Sequence, residues 1–346
     1  MRTAIALFAV ATLALLGCPK DSSSSGGGQS SGAASSASAG GGGAKRMRIA
    51  VVPKGTTHEF WKSVHAGAVK ASREDDVDVV WKGPLKEDDL KGQIDVVQSF
   101  VAQGVSGIVL APLSDKGLVA PVKAATQAKV PVVIFDSDLQ GEDWVSFVAT
   151  DNAAAGKLGG EYLMNRIGQK GNVALLRYQE GSASTANREK GFLEAAKAAS
   201  AVKVVSDNQY GGATTETAFS TSENLLAAQK ATAGGLDGVF APNESTTFGM
   251  LLALRKQKLE GKVRFVGFDA SDKLVQALKD GHIDGLVVQN PFKMGYLAVK
   301  TMVKHLKGEK VDKRIDTGAT VVGKADLDKP EMKELLQPDL EKWLGK

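Results

Sequence analysis

VPVVIFD, residues 130–136, is apolar for the length of a strand and ends on an aspartate. Its centre, Val132–Phe135, is hydrophobic at every position rather than at alternate ones, the pattern of a strand covered by helices on both faces. Runs of the same kind lie on either side. Before it come RIAVVP (48–53), VDVVW (77–81) and GIVLAP (107–112), and after it WVSFVAT (144–150). A second series follows with NVALLRY (172–178), VKVVSD (202–207), GVFAP (238–242), VRFVGFD (263–269) and DGLVVQ (284–289). Between the runs lie amphipathic stretches of helical length, among them Lys62–Arg73, Gln93–Gln103, Asn152–Ile167, Glu189–Ala199, Thr217–Ala231 and Thr247–Lys256. Strict alternation of strand and helix predicts an α/β fold with doubly wound parallel sheets, and two successive series predict two similar lobes.

The composition agrees. The chain has 346 residues, 43% hydrophobic and 24% charged, enough for two domains of roughly 150 residues each. A formal charge of +4 is spread along the sequence, so nothing calls for a nucleic-acid partner. The single cysteine, Cys18, excludes an intramolecular disulfide and a multi-cysteine metal site.

The position of that cysteine is informative. Arg2 supplies a positive charge, Ala4–Leu16 is apolar but shorter than the roughly 20 residues of a membrane span, and Leu15-Leu16-Gly17-Cys18 closes the stretch. This resembles a bacterial lipoprotein signal with its lipobox, in which Cys18 becomes the acylated N-terminus. Residues 1–18 are thus expected to be a signal peptide with its lipidation site, and 19–44, almost all Ser, Gly and Ala, a flexible tether. Such a tether would hold the folded body about 25–30 Å from the lipid. The protein is expected to be a membrane-anchored lipoprotein of the periplasm or cell surface.

In open parallel sheets ligands gather at the carboxyl ends of the strands. There the sequence places Lys54, Thr56, Thr57, His58, Phe60 and Trp61; Asp136-Ser137-Asp138; Asn187-Arg188; Asn243-Glu244; Asp269; and Gln289-Asn290. Carboxylates accept hydroxyl hydrogens, Arg and Asn donate to ring and hydroxyl oxygens, and an aromatic pair covers the C–H face of a sugar, so the set suits a neutral polyhydroxylated molecule. Catalytic motifs find little support. His58-Glu59-Phe60-Trp61-Lys62 starts like a zinc-protease motif but has Lys62 in place of the second histidine, and there is neither a GxSxG elbow nor a phosphate loop. Gly156, Gly159 and Gly160 lie within a predicted helix and read as close-packing positions. Asp136 and Asp269 could be imagined as a glycosidase pair, yet nothing separates their predicted environments as that chemistry requires. A secreted hydrolase is the rival class.

These residues resemble the ribose/galactose-type periplasmic sugar-binding proteins, the receptors of ABC importers, over Arg48–Val322. The resemblance rests on GIVLAP, the Asp136 run, VATDNAAAG (148–156), NREKGF (187–192), VFAPNE (239–244), VGFD (266–269) and the Gln289 region. It implies a type I periplasmic binding protein fold of two lobes joined by three hinge crossings, near VATD (148–151), Gln289 and Asp316. The first lobe would be 45–150 plus 290–314, the second 151–289 plus 315–325, with a helical tail at 326–346. By the same resemblance Asp136 and Asp269 bind sugar hydroxyls, Asn243, Gln289 and Arg188 hydrogen-bond the ligand, and Phe60-Trp61 stack on it beside His58. The expected partners are a monosaccharide and an ABC permease, for a monomer that is not an enzyme and uses no cofactor or metal. Two departures put ribose itself in question: Ser137 stands where ribose receptors have arginine, and His58-Glu59 where they have Asn-Pro. Val52-Pro53-Lys54 and Asp136-Ser137-Asp138 resemble instead the autoinducer-2 and rhamnose branch, although Asn187-Arg188 does not match an autoinducer-2 receptor. A sensory receptor for a signalling partner would use the same fold. LacI-type repressors share the core but carry a helix-turn-helix where this chain has a signal and tether. In the tail, Met332, Leu335, Leu336, Leu340 and Leu344 suggest one apolar stripe docked on a lobe.

Overall fold

The computed structural model describes residues 46–345, so the signal segment, Cys18 and the tether lie outside the described residues. The first series folds as β1 (Arg48–Val52), α1 (Glu59–Asp75), β2 (Asp78–Trp81), α2 (Leu90–Ala102), β3 (Gly107–Leu110), α3 (Val119–Gln127), β4 (Val132–Phe135) and β5 (Phe147–Ala149). The second runs α4 (Asn152–Arg166), β6 (Lys170–Arg177), α5 (Ala183–Ala198), β7 (Ala201–Tyr210), α6 (Thr215–Ala228), β8 (Gly238–Phe240), α7 (Glu244–Lys256), β9 (Arg264–Phe268), α8 (Asp272–Asp280) and β10 (Gly285–Gln289). The chain closes with α9 (Pro291–Leu306), β11 (Arg314–Asp316), β12 (Ala319–Val322), α10 (Pro330–Leu336) and α11 (Glu341–Leu344).

Two six-stranded sheets result, ordered β11-β5-β4-β3-β1-β2 and β12-β10-β9-β8-β6-β7. Every pairing is parallel except β10 with β12. The two orders are equivalent position by position, so β4 in the first sheet corresponds to β9 in the second. The chain passes between the sheets three times, from β5 to α4, from β10 to α9, and from β11 to β12. These crossings are short, at 149–152, 289–291 and 316–319.

The uniform apolarity of β4 has its reason in the layers. Val133 and Phe135 pack with Val64, Met294 and Val299 of α1 and α9, whereas Val132 and Ile134 pack with Val97, Phe100 and Val122 of α2 and α3. All four side chains are buried, each contributing roughly 1.5–3 kcal/mol. The second sheet is covered in the same way, with Val173, Leu175 and Phe240 against α4 and α5, and Leu176, Val239 and Phe265 against α6–α8.

Three sequence expectations shift. α5 begins at Ala183, six residues before the expected Glu189, so Arg188 projects from the second turn of a helix rather than from a loop after β6. β5 is confined to 147–149, and Trp144, expected inside it, instead packs edge-on against Phe147 and donates its Nε1 hydrogen to the Gly141 carbonyl. The tail is not one stripe, because Pro338 lies between two short helices. Leu336, with Met332 and Leu335, joins the core beneath the second sheet, whereas Trp343 of α11 lies against Phe292 of α9 and Arg73 of α1.

Gly156 and Gly191 let α4 and α5 touch. A Cβ on Gly156 would run into the Arg188 backbone, and one on Gly191 into that of Ala153 and Lys157. This close approach seats Arg188 beneath the ends of the second sheet's strands.

Candidate functional site

Two aspartates face each other from equivalent places. Asp136 directly follows β4 and Asp269 directly follows β9, and both have left-handed backbones, with φ of 61° and 69°. Their amides make matching bonds, from Asp136 to the Val148 carbonyl at 3.0 Å and from Asp269 to that of Val287 at 2.8 Å. Left-handed φ is costly for a residue with a side chain, and aspartate is among the few that tolerate it. The turn swings each carboxylate off the strand line toward the space between the sheets.

Each carboxylate is partnered. Asp136 takes the Lys54 ammonium at 3.1 Å, and Lys54 also reaches Ser182 Oγ at 3.2 Å and Ser184 Oγ at 3.0 Å in the opposite half. Asp269 Oδ1 accepts from Gln289 Nε2 at 2.7 Å, and its Oδ2 from the Glu244 amide at 3.0 Å. Burial raises the Asp269 pKa above its ordinary value, with Arg188 and the Gln289 hydrogen bond acting against the rise. Gln289 Oε1 in turn accepts from the Thr150 hydroxyl, which ties the site to two of the three crossings.

A second network surrounds Glu87, in the loop between β2 and α2. Its buried carboxylate accepts from His58 Nδ1 at 2.9 Å, Trp61 Nε1 at 2.6 Å and the Tyr178 hydroxyl at 2.6 Å. Burial by itself would lower the His58 pKa, but the charge and hydrogen bond of Glu87 outweigh it and raise the value to about 9. Burial would raise that of Glu87, and His58, Lys54 and Tyr178 instead bring it down to about 2. Histidine and glutamate therefore form an ion pair at neutral pH. Trp61 is 2% exposed and pinned through its indole nitrogen, with its ring edge-on to Phe60 at 4.9 Å between centroids.

Arg188 completes the floor. Its guanidinium lies 3.9 Å from the centroid of the Phe268 ring, with Nε donating to Asn152 Oδ1 and Nη1 to the Pro242 carbonyl. Nη2 is buried without a hydrogen-bond partner. Burial lowers the Arg188 pKa, against the pull of Asp269 and Asp136, yet an arginine stays charged. A buried charged donor with no acceptor is costly, so this nitrogen marks where a ligand oxygen gains most.

All eight side chains expected at the site, His58, Phe60, Trp61, Asp136, Arg188, Asn243, Asp269 and Gln289, line one cavity. Lys54, Glu87, Tyr178, Ser184 and Thr185 line it too. Lys54 is among the strand-end residues read from the sequence, and Tyr178 ends an apolar run and could be found by the same rule, whereas Glu87 sits in a polar loop, KGPLKEDD (82–89), with no periodic signal. Other strand-end residues go elsewhere. Asp138 pairs with Arg314, Asn290 caps α9, Asn187 is exposed, and Thr56 bonds the Pro84 carbonyl. The cavity measures only about 20 Å³, room for little more than one water, so a ring-sized guest enters only when its walls separate. A larger hollow of about 820 Å³ lies between the tail and α9, but its lining is surface side chains without the converging buried polar groups of the smaller one.

Residues 49–310 match the family model described as a periplasmic binding protein domain. The chain belongs to the periplasmic binding protein family. As a member it has named relatives. It is 31% identical over 276 residues to the D-ribose/D-allose-binding protein of Pseudomonas aeruginosa, covering 77% of this chain and 84% of that protein. A carbohydrate transporter solute-binding protein from Agrobacterium radiobacter, solved with D-arabinose, superposes with a TM-score of 0.80 at 34% identity, over 84% of this chain and 99% of that one. An ABC transporter solute-binding protein from Agrobacterium vitis with bound D-fucose gives a TM-score of 0.80 at 36% identity and the same coverage. The match extends to the type I periplasmic binding protein fold with its two parallel-dominated sheets.

Proposed function

We propose that this periplasmic binding protein captures a monosaccharide between two lobes and delivers it, without chemical change, to an ABC permease. The observation that carries the reading is the convergence of Asp136, Asp269, Asn243, Gln289 and the unpartnered Arg188 Nη2 from both sheets on one cavity. The lobes are assigned as 45–150 with 290–314 and 151–289 with 315–325, divided at the short crossings. The ligand binds while they stand apart and favours the closed arrangement, because only there do both carboxylates reach it. Hydrogen bonds to charged groups contribute roughly 1.5–3 kcal/mol each, so four or five support micromolar binding after association costs. Asp136 and Asp269 bind hydroxyls, Arg188, Asn243 and Gln289 hydrogen-bond ring or hydroxyl oxygens, and Phe60, Trp61 and His58 form the wall on the first lobe's side.

A second reading has its own support. Lys54 reaches Asp136 and two serines of the other half, which suits the autoinducer-2 or rhamnose type of receptor, for transport or for a sensory partner. The protein is proposed to act as a monomer held at the membrane by a lipid on Cys18. Calorimetric titration against pentoses, hexoses, deoxyhexoses including rhamnose, and autoinducer-2, after refolding to remove carried ligand, tests both readings. One-to-one saturation by a single sugar with a change in tryptophan emission is expected. Silence across the panel overturns the sugar reading, and catalytic turnover of any member overturns the receptor reading. Radiolabelled palmitate incorporation that persists in Cys18→Ser would remove the anchor.

A further inference from the structure

The helices that follow the strands differ in how their N-termini are capped, and α3, after Leu118, has no side-chain cap. α2, α4, α6, α7 and α9 carry their own caps, from the side chains of Asp89, Asp151, Thr214, Asn243 and Asn290. α1, α5 and α8 follow His58, Ser182 and Ser271, none of which caps its helix through its side chain. Ser182 is a residue type that caps well, but its hydroxyl is held by Lys54. The first N–H groups of a helix have no partner within it and must find one elsewhere.

For these three helices the partner comes from the opposite half of the molecule. Glu244, the first residue of α7, accepts from the Glu59 amide through Oε1 at 3.3 Å and from the Phe60 amide through Oε2 at 3.2 Å, and so caps α1. Glu59, the first residue of α1, accepts from the Asp272 amide at 3.0 Å and so caps α8. Ser137, next to the site aspartate Asp136, accepts from the Ser184 amide at 3.0 Å and caps α5. Each pair joins an element of the first sheet to one of the second. Both carboxylates also sit at the positive ends of helix dipoles, which favour an anion, although burial raises the Glu244 pKa from 4.5 to about 7 against the charge of His58 and the Phe60 and Glu59 amides.

We propose that Glu59, Glu244 and Ser137 form a latch of helix caps exchanged across the cleft, which sets the population of the closed form, and hence the affinity, without choosing the sugar. Opening leaves three helix N-termini to water at once, and closing restores them together. Glu59 and Glu244 are absent from the cavity lining, so they act as positioning residues. The inference rests on the reading of the two halves as lobes that close on a ligand.

The test uses the full chain as wild type, Glu244→Ala, Glu244→Gln, Glu59→Ala and Glu59→Ala/Glu244→Ala, probed with D-ribose, D-allose, D-arabinose and D-fucose. Amide hydrogen exchange at 59–60 and 272 is followed with and without each sugar. In Glu244→Ala, protection is expected to fall at Glu59 and Phe60, and in Glu59→Ala at Asp272. Affinity for whichever sugar binds should fall roughly 5–30-fold per variant through faster release, with the order of preference among sugars unchanged. Glu244→Gln, which keeps the shape and one acceptor oxygen, should lie between wild type and alanine. Affinities within twofold of wild type, or a changed order of preference, would overturn the latch. If no sugar binds, the receptor reading fails separately and the ligand-free protein still decides. There the double variant should exchange faster at 59–60 and 272 and have a larger radius of gyration in solution scattering, and identity with wild type in both refutes the proposal.

Discussion

Replacing Glu87 by glutamine removes one charge from the most heavily shared carboxylate of the site while keeping its shape. In the native protein His58 is raised from 6.5 to about 9, which at roughly 1.4 kcal/mol per pKa unit corresponds to about 3 kcal/mol of coupling. The lowering of Glu87 from 4.5 to about 2 describes the same interaction from the other partner and is counted once. The two directions define a window. The raised histidine contributes fully below 6.5 and loses its contribution as pH rises through 9, and the lowered glutamate contributes above 4.5 and loses its contribution as pH falls toward 2. Wild-type stability should therefore be greatest between about 4.5 and 6.5 as far as this pair is concerned. In Glu87→Gln the largest raising influence on His58 is gone and burial is opposed only by the more weakly acting charges of Glu244 and Asp269, so its titration followed by NMR should fall well below 9. Denaturant unfolding at pH 6 should show a loss on the order of 3 kcal/mol, shrinking as pH approaches 9. A His58 that still titrates near 9 in the variant, or a loss that does not depend on pH, refutes the ion pair as the cause.

Other substitutions probe the remaining geometry. Asp136→Ala and Asp269→Ala should each cost at least about tenfold in sugar affinity by calorimetry, since each removes a charged acceptor from the cavity wall, and unchanged binding in both would sink the site assignment. Tyr178→Phe deletes a hydrogen bond to Glu87 that spans the two halves, so release of bound sugar should quicken roughly 3–30-fold in stopped-flow fluorescence, and an unaltered rate would show that this contact is indifferent to closure. Gly156→Ala drives a methyl into the Arg188 backbone and should destabilise the protein by about 1–3 kcal/mol in thermal unfolding, whereas wild-type stability would mean that α4 and α5 separate freely.

Much of the architecture was legible before any coordinates. Ten apolar runs correspond to β1–β10, and the central ones are hydrophobic at every position because they are buried on both faces, whereas the edge strands β2 and β7 are mostly exposed or half-buried. β11 and β12 are legible only as an expected third crossing near Asp316, since three or four residues that are mostly exposed or half-buried leave no periodic signal. The site aspartates stood out because a carboxylate ending an apolar run has few structural reasons to be there. Arg188 lines the cavity from a helix and not from a loop, as the polar first turn of α5 reads as loop when its buried face is small side chains such as Ser184 and Gly191. Glu87, and its bonds from His58, Trp61 and Tyr178, leave no signal in the sequence, because a loop glutamate shows its burial only when other elements close over it.

What the chain determines locally is the alternation of strand and helix, the doubling of that pattern and the polar residues at the strand ends, since each depends on neighbours within a few positions. What tertiary structure alone decides is which of those polar groups meet. Lys54 finds Asp136 and two serines more than a hundred residues away, Asp269 finds Gln289, and Glu244 finds the start of α1. Hydrogen bonds act over about 3 Å and between elements distant in sequence, so their partners are assigned by packing of the two sheets and not by spacing along the chain.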